Sequence, residues 1–272
     1  MDGVQDSELK VIQSYLLDMM VDVDKMMREA EIPYSIDGGT LIGAVRHKGF
    51  IPWDDDVDIA IESRYESKFV EAAEKLPKEK YYLLKPFSLD WPFEFYKIKL
   101  NGTEAIEVDQ GDARIHRGLS VDVFIYKDFP TSYIRKKLYF LVMDFNRAIE
   151  RAYRCCYGKK SMDPIQKILR TFLIANYKIL DMVTEKDTNK TLCRLSFLPR
   201  DFDYEKEWIE ETMEMDFEDK KFMGFTHYDE VLGYFFGDYM TLPPEEKRKR
   251  HVLSFRLLDK EDDQAAKSKH DD

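Results

Sequence analysis

This chain has little with which to staple itself and nothing with which to cross a bilayer. Its 272 residues include only 3 cysteines, Cys155, Cys156 and Cys193, and only 12 glycines. So few cysteines exclude a disulfide framework, and no paired Cys/His spacing marks a zinc site. The adjacent Cys155 and Cys156 read as helix residues in a reducing compartment. No apolar run approaches the roughly 20 residues that span a membrane. The amino terminus lacks the charged-then-apolar pattern of a signal peptide. The expectation is a cytoplasmic protein without a membrane span. Basic residues are in the minority, 42 Lys and Arg against 53 Asp and Glu, for a net charge of −11. A sequence-independent nucleic-acid binder neutralises phosphates with basic side chains, so no nucleic-acid partner is expected. Apolar residues make up 44%, with 18 Phe and 16 Tyr, which suffices for a sizeable core. The chain carries no internal repeat.

What is present is acid concentrated in one place. After Ser35-Ile36-Asp37 come Gly38-Gly39-Thr40, an apolar run to Arg46-His47, then Gly49-Phe50-Ile51-Pro52-Trp53 and the acids Asp54, Asp55, Asp56 and Asp58. From Val57 to Ile61 apolar residues alternate as in a strand. Alternation puts Asp56 and Asp58 on one face and sends Val57, Ile59 and Ile61 into a core from the other. Two carboxylates held together repel unless protons or a cation neutralise them. Oxygen-only ligands at this density suit a hard ion, Mg2+ or Mn2+. A calcium loop of the EF-hand kind needs Gly where Ile59 stands and a later Glu where Tyr65 stands, so that pattern is excluded. A plain acidic turn in water is the alternative. It accounts poorly for the glycine turn before the acids and the apolar strand after them.

The spacing predicts an amphipathic helix over 7–30 with Ser7 as its N-cap, then a short strand over 34–37. Thr40 to Lys48 reads as a short helix, and its amino end behind Gly38 and Gly39 offers backbone N–H groups to a phosphate. Gly38, Gly39 and Thr40 are thus candidate substrate-binding residues. Arg46 and His47 at the far end either orient a phosphate oxygen or, for His47 in particular, cap helix carbonyls. Trp53 either lies over the site or belongs to the core. A strand over 93–100 carries Lys97, which meets an anion if the strand is central and guards against aggregation if it is an edge. In Gly118-Leu-Ser-Val-Asp-Val-Phe-Ile-Tyr126, Asp122 opposes the face of Val121, Val123 and Ile125. Such an acid is costly to bury unless paired or metal-bound. With two upstream carboxylates seeking a third, Asp56, Asp58 and Asp122 form the candidate catalytic and metal-binding set.

After Pro130 the pattern turns helical, over 133–157 and 163–186. The basic residues there include Arg135, Lys136, Lys137, Arg147, Arg151, Arg154, Lys159, Lys160, Lys167 and Arg170. They form either a membrane-surface or anionic-acceptor face or the solvated side of ordinary helices. Met213 to Phe217 alternates as a strand, and Tyr228 to Phe236 reads as a helix closed by Gly237. The tail over 259–272 is polar, lacks aromatics and is expected to be disordered.

The stretch Gly38-Gly39-Thr40-Leu41-Ile42-Gly43-Ala44-Val45-Arg46-His47 followed by Gly49-Phe50-Ile51-Pro52-Trp53-Asp54-Asp55-Asp56-Val57-Asp58 resembles the signature of the LicD family. That family includes bacterial phosphocholine transferases and fukutin-related proteins. The segment around Asp122, Lys97 ahead of Thr103, and more loosely residues 217–251 resemble it too. The resemblance implies an α+β fold of the nucleotidyltransferase type, a mixed sheet flanked by helices with a helical carboxy-terminal half. Residues 1–130 would form the catalytic core, and 131–258 a helical region completing the site. It further implies Mg2+-dependent (or Mn2+-dependent) transfer of phosphocholine, or another phospho-alcohol, from a CDP-alcohol donor, CDP-choline first among them. The acceptor would be a glycan hydroxyl, free or lipid-linked; the protein itself would either stay in the cytoplasm or associate peripherally with the inner membrane face. Nucleotidyl transfer from an NTP would use the same carboxylates. A non-catalytic protein on this fold would lack one of the three acids, and none is missing.

Overall fold

The computed structural model describes residues 4–88, 91, 93–108, 115–156, 160–184, 189–193 and 204–259. The tail beyond 259 and Lys159 lie outside these residues. The chain opens with helix α1, Asp6–Glu29, whose apolar positions bury Leu9, Ile12, Leu16, Met19, Met20, Val23, Met26 and Met27. Its N-cap is Gln5 rather than Ser7. Gln5 is extended, and the Glu8 carboxylate reaches back to accept its N–H at 3.2 Å, the reciprocal half of a capping box. Strand β1 (Ser35–Ile36) leads into helix α2 (Gly38–Arg46), which begins two residues earlier than its apolar periodicity suggests. Asp37 is its N-cap, accepting the Gly38 N–H at 2.8 Å.

Strand β2 (Val57–Glu62) and helix α3 (Glu66–Ala73) follow, then β3 (Tyr81–Leu84), β4 (Tyr96–Leu100), β5 (Thr103–Glu107) and β6 (Ser120–Asp128). Helices α4 (Tyr133–Cys156) and α5 (Asp163–Val183) pack on each other. Short strands β7 (Lys190–Cys193) and β8 (Tyr204–Glu205) and helix α6 (Glu207–Glu210) lead to the hairpin β9 (Thr212–Phe217) and β10 (Lys220–Phe225). Helix α7 (Tyr228–Phe236) and strand β11 (Val252–Leu257) close the described chain. The helices expected in the second half are there. Among the described residues the same half also supplies five strands, of which only β9 is visible as an alternating pattern. Strand β10, with Lys220 and Lys221 at its exposed start, hides its apolar residues behind charge.

The main sheet runs β3-β4-β6-β2-β1-β10-β9, with β7 on the far end of β6 and β8 beyond it. Strands β2 and β6 are parallel, as are β1 and β10, while the other neighbours are antiparallel. The sheet is therefore mixed and flanked by helices, an α+β architecture. Strands β5 and β11 pair separately. One large core joins α1 to the inner residues of β1, β2, β4 and β6, Ile36, Val57, Ile59, Ile61, Ile98, Val121, Val123 and Ile125 among them. A second core of Phe129, Tyr139, Met143, Ile149, Leu173, Tyr177, Leu180 and Val183 holds α4 against α5. Lys97 sits in the interior of the sheet, on β4 between β3 and β6, so its edge-strand reading does not apply.

Candidate active site

The parallel pairing of β2 with β6 puts Asp58 directly opposite Asp122. The antiparallel pairing of β4 with β6 puts Lys97 opposite Asp122 from the other side. Asp58, Asp122 and Lys97 therefore form one row across three adjacent strands. Lys97 Nζ donates to Asp122 Oδ2 at 2.7 Å and lies 3.9 Å from Glu107 Oε2. It also sits over the rings of Trp91 and Phe95, at 5.1 and 5.6 Å from their centroids. Burial alone would strip its proton, but Asp122 and Glu107 hold that proton in place and raise its pKa. Beside it the wholly buried Lys99 donates to the Gly118 carbonyl at 3.1 Å and pairs with Glu107 at 3.5 Å, and burial lowers its pKa. Burial raises Asp122 above the ordinary carboxylate range, with Lys97 opposing.

The other Asp122 oxygen, Oδ1, is buried without any hydrogen-bond partner. A buried carboxylate oxygen left bare is costly, and this one belongs to the row that carries Asp58. Burial raises the Asp58 pKa strongly, and the charges of Asp56, Asp122, Asp37 and Asp54 add to that. Asp37 is itself buried, holding Gly38 N–H with Oδ1 and the Tyr126 hydroxyl with Oδ2 at 2.9 Å.

Helix α2 is pressed against these acids. A Cβ on Gly38 would lie 2.8 Å from Asp58 Oδ2, and Gly38 also has φ +51°, the left-handed region that favours glycine. A Cβ on Gly39 would lie 2.8 Å from Asp54 Oδ2. The glycine pair therefore packs directly against the acids, apart from any ligand, and at Gly38 the left-handed backbone adds its own demand for glycine. The N–H groups of Gly39 and Thr40, in the first turn, have no intrahelical partner. The Thr40 hydroxyl accepts the Asp58 N–H at 2.9 Å, which fixes the start of β2.

The remaining acids divide by partner. Asp55 is buried and accepts the backbone N–H groups of His251 and Val252 at 3.0 and 2.8 Å, tying the start of β11 to the acid loop. His251 Nδ1 lies 3.3 Å from Asp55 and 3.2 Å from Asp56. Those two carboxylates push the His251 pKa up to about 11, so it is an imidazolium at neutral pH. In return, although burial alone would raise it, Asp56 is held below the usual carboxylate range by the hydrogen bond and charge of His251. Burial and then Asp56 push Asp54 well up. Among the described residues, Asp54, Asp55 and His251 are the trio whose ligand atoms all lie within 4.8 Å of one another. This trio adjoins the Asp56–Asp58–Asp122 set and does not coincide with it.

A basic rim stands at the edge. Arg46 donates to the Tyr239 carbonyl and, through Nε, to His47 Nε2 at 3.0 Å. The Arg248 guanidinium lies 4.6 Å from the Trp53 ring centroid, and His47 meets the same ring edge-on at 6.4 Å. Burial and the neighbouring Arg248 charge both lower the Arg46 pKa. Trp53 is half-buried and joins the rim to the core. His251, Arg248, Lys99 and Glu107 escaped the sequence reading. They lie far along the chain from the acid run, or on a strand whose charges look like an edge; Arg248 and His251 fall in the stretch that loosely resembles the family, but nothing there singles them out.

Carboxylates on two parallel strands, beside the amino end of a glycine-opened helix and under a rim of arginines, make a site suited to group transfer at phosphorus. Residues 31–169 match the family described as LicD/FKTN/FKRP, nucleotidyltransferase domain, and the chain belongs to that family. Over 246 residues it is 28% identical to the lipopolysaccharide cholinephosphotransferase LicD of Haemophilus influenzae, covering 82% of this chain and 88% of that protein. A shorter match, 49% identical over 55 residues, covers 20% of this chain and 17% of an uncharacterized protein of Rickettsia typhi. A similar protein of Rickettsia prowazekii is 50% identical over 46 residues, 17% of each chain.

Proposed function

We propose that this protein transfers phosphocholine, or another phospho-alcohol, from a CDP-linked donor to a hydroxyl of a surface glycan, releasing CMP. The observation that carries the reading is the Asp58–Asp122–Lys97 row with its bare, buried Asp122 Oδ1. The cholinephosphotransferase activity for which the Haemophilus relative is named supports the choice of transferred group.

In this reading the acceptor oxygen attacks the phosphorus bearing the alcohol. The bond from that phosphorus to the CMP oxygen breaks, and CMP leaves with its electron pair. Asp122 takes the acceptor proton at Oδ1, while Lys97 holds Oδ2 and thereby sets the angle of the carboxylate. The residues fit a divalent ion: Asp58 and Asp122 offer oxygen donors on adjacent strands, and Asp56 adjoins them. Mg2+ or Mn2+ held by Asp56 and Asp58, with Asp122 facing it from the neighbouring strand, would supply charge neutralisation for the diphosphate. The first-turn N–H groups of Gly39 and Thr40 receive a phosphate oxygen, and Arg46, Arg248 and His47 stand where they can hold the leaving nucleotide's charge. Trp53 forms the wall between them. No helix among the described residues is long and apolar enough to cross a membrane. A cytoplasmic enzyme acting at the inner membrane face is the setting that goes with this reading.

The test is donor competition. Purified protein is incubated with Mg2+ and either CDP-choline or labelled NTPs, and CMP and pyrophosphate are measured. CMP release from CDP-choline, stimulated by a glycan acceptor, is expected. Pyrophosphate release from an NTP, with CDP-choline inert, would replace this reading with nucleotidyl transfer.

A further inference from the structure

Helices α4 and α5 each carry two apolar stripes, and the second core uses only one of them. On α4 the unused stripe is Ile134, Leu138, Leu141 and Phe145, recurring at helical spacing. Ile134, Leu141 and Phe145 are 76%, 67% and 57% exposed. On α5 it is Ile165, Ile168, Phe172, Ile179 and Met182, with Ile168 and Met182 at 57% and 72%. Large side chains exposed singly are ordinary, whereas a periodic run over several turns of two packed helices marks a surface that meets something. The opposite faces, with Tyr139, Met143, Leu173, Tyr177 and Leu180, hold the hairpin together. The exposed stripes are therefore not needed for its fold.

Charge says what the surface meets. The chain as a whole carries −11, yet α4 and α5 together hold nine Lys or Arg against four Asp or Glu. Lys137, Arg151, Lys167 and Lys178 are exposed on these helices together with the apolar stripes. A second copy docked by symmetry would set one basic hairpin against another, which is repulsive. Helices with exposed apolar stripes and a basic flank are instead the form that lies in the interface of an anionic membrane.

We infer that the α4–α5 hairpin docks this protein onto an anionic lipid surface, with the two apolar stripes entering the headgroup boundary and the lysines and arginines contacting lipid phosphates. The inference is independent of which group the active site transfers.

The test is co-sedimentation of the full chain with vesicles of phosphatidylcholine alone or of phosphatidylcholine mixed with phosphatidylglycerol. The protein is expected to partition onto the mixed vesicles, weakly onto the neutral ones, and less as salt rises. The double variant Leu141→Glu/Phe172→Glu should lower partition at least about tenfold, since each side chain removes apolar burial in lipid. Thermal melting checks its fold. Should that variant not fold, Lys137→Glu/Lys167→Glu carries the test, because both are exposed charges whose reversal should abolish preference for the anionic vesicles. Failure of the wild-type chain to bind mixed vesicles would overturn the inference. So would undiminished binding by a folded variant. Sedimentation showing a dimer that the same apolar substitutions dissociate, without lipid binding, would assign the surface to a second copy instead.

Discussion

The acid row and the α4–α5 hairpin break the same rule in opposite directions. Around Asp122 the chain buries charge: Lys97, Lys99 and Asp55 are hidden, and Asp58 and Asp122 nearly so. On the hairpin it exposes Ile134, Leu141, Phe145 and Phe172. Burying charge costs several kcal/mol per ion unless pairing compensates, and exposing apolar surface forfeits about 25 cal/mol per Å2. Neither is needed to make an α+β fold, since the main core is complete without them. The difference lies in how each fault is relieved. Most of the buried charges are relieved internally, Lys97 by Asp122, Lys99 by Glu107, and Asp56 by His251. Asp54, Asp58 and Asp122 Oδ1 are the remainder. Among the described residues nothing relieves the exposed stripes, and docking on a lipid surface would relieve them.

The largest expected effect comes from removing that remainder. Asp122→Asn should reduce kcat by about 10²–10⁴-fold, the range of a lost general base, with CDP-donor binding retained. Measuring kcat and donor affinity on one preparation checks it, and near-normal kcat would reject Asp122 as the base. Asp58→Asn should also abolish turnover, but it should stabilise the metal-free protein at neutral pH. The sign follows from its raised pKa: the native state holds the Asp58 proton more tightly than the unfolded chain does. Its stabilising contribution is full below the unfolded value, about 4, and is lost as pH rises through the higher folded value. Melting curves in a chelator across pH should show the variant above the wild type at pH 7 and level with it in acid.

Next in size is Lys97→Met, which leaves Asp122 without its cation while Glu107 keeps Lys99. Breaking a buried pair from one side costs about 3–5 kcal/mol, so denaturant melts should show a loss in that range. A loss under about 1 kcal/mol would mean that the row is wetter than its burial indicates. Gly38→Ala should cost about 1–2 kcal/mol, from left-handed strain and from the Cβ that would meet Asp58 Oδ2. The matched control is Gly233→Ala on α7, where nothing lies within 4 Å of the added carbon. That change should stabilise by about 0.5–1 kcal/mol.

How much of this is legible in the sequence depends on how local each feature is. Asp58 and the glycine pair lie within one stretch, and strand alternation finds Asp58, whereas Asp56 falls just before β2 and the glycines open α2 instead of preceding it. Asp122 needs one long-range assumption, that its strand neighbours β2, and the parallel register bears that out. Lys97 has two readings in the sequence, because a sequence does not say whether a strand is internal. His251 is brought to Asp55 across 196 residues by backbone hydrogen bonds that no side-chain pattern encodes. Thr40, read as a ligand group, turns out to hold Asp58's backbone. On α4 and α5 the periodicity is plain, but two apolar stripes per helix leave the buried one unassigned until the core is seen.

The smallest effect sharpens the comparison most. Leu141 lies in the apolar run Tyr139 to Met143 of α4 and by composition alone looks like core, yet it is 67% exposed while Met143, two residues on, is 4%. Met143→Ala should cost about 2–5 kcal/mol, the ordinary loss for a large buried side chain. Leu141→Gln should change stability by no more than about 0.5 kcal/mol, as exposed positions do, because the atoms it removes touch mostly water. Chemical denaturation of both variants in dilute solution makes the measurement. Repeating the melt of Leu141→Gln at high protein concentration separates two explanations of a larger loss. A loss that grows with concentration would mean that a second copy covers the stripe, since dimer stability depends on concentration. A loss that does not would mean that Leu141 packs inside the hairpin, and the second apolar face of α4 would then be core after all.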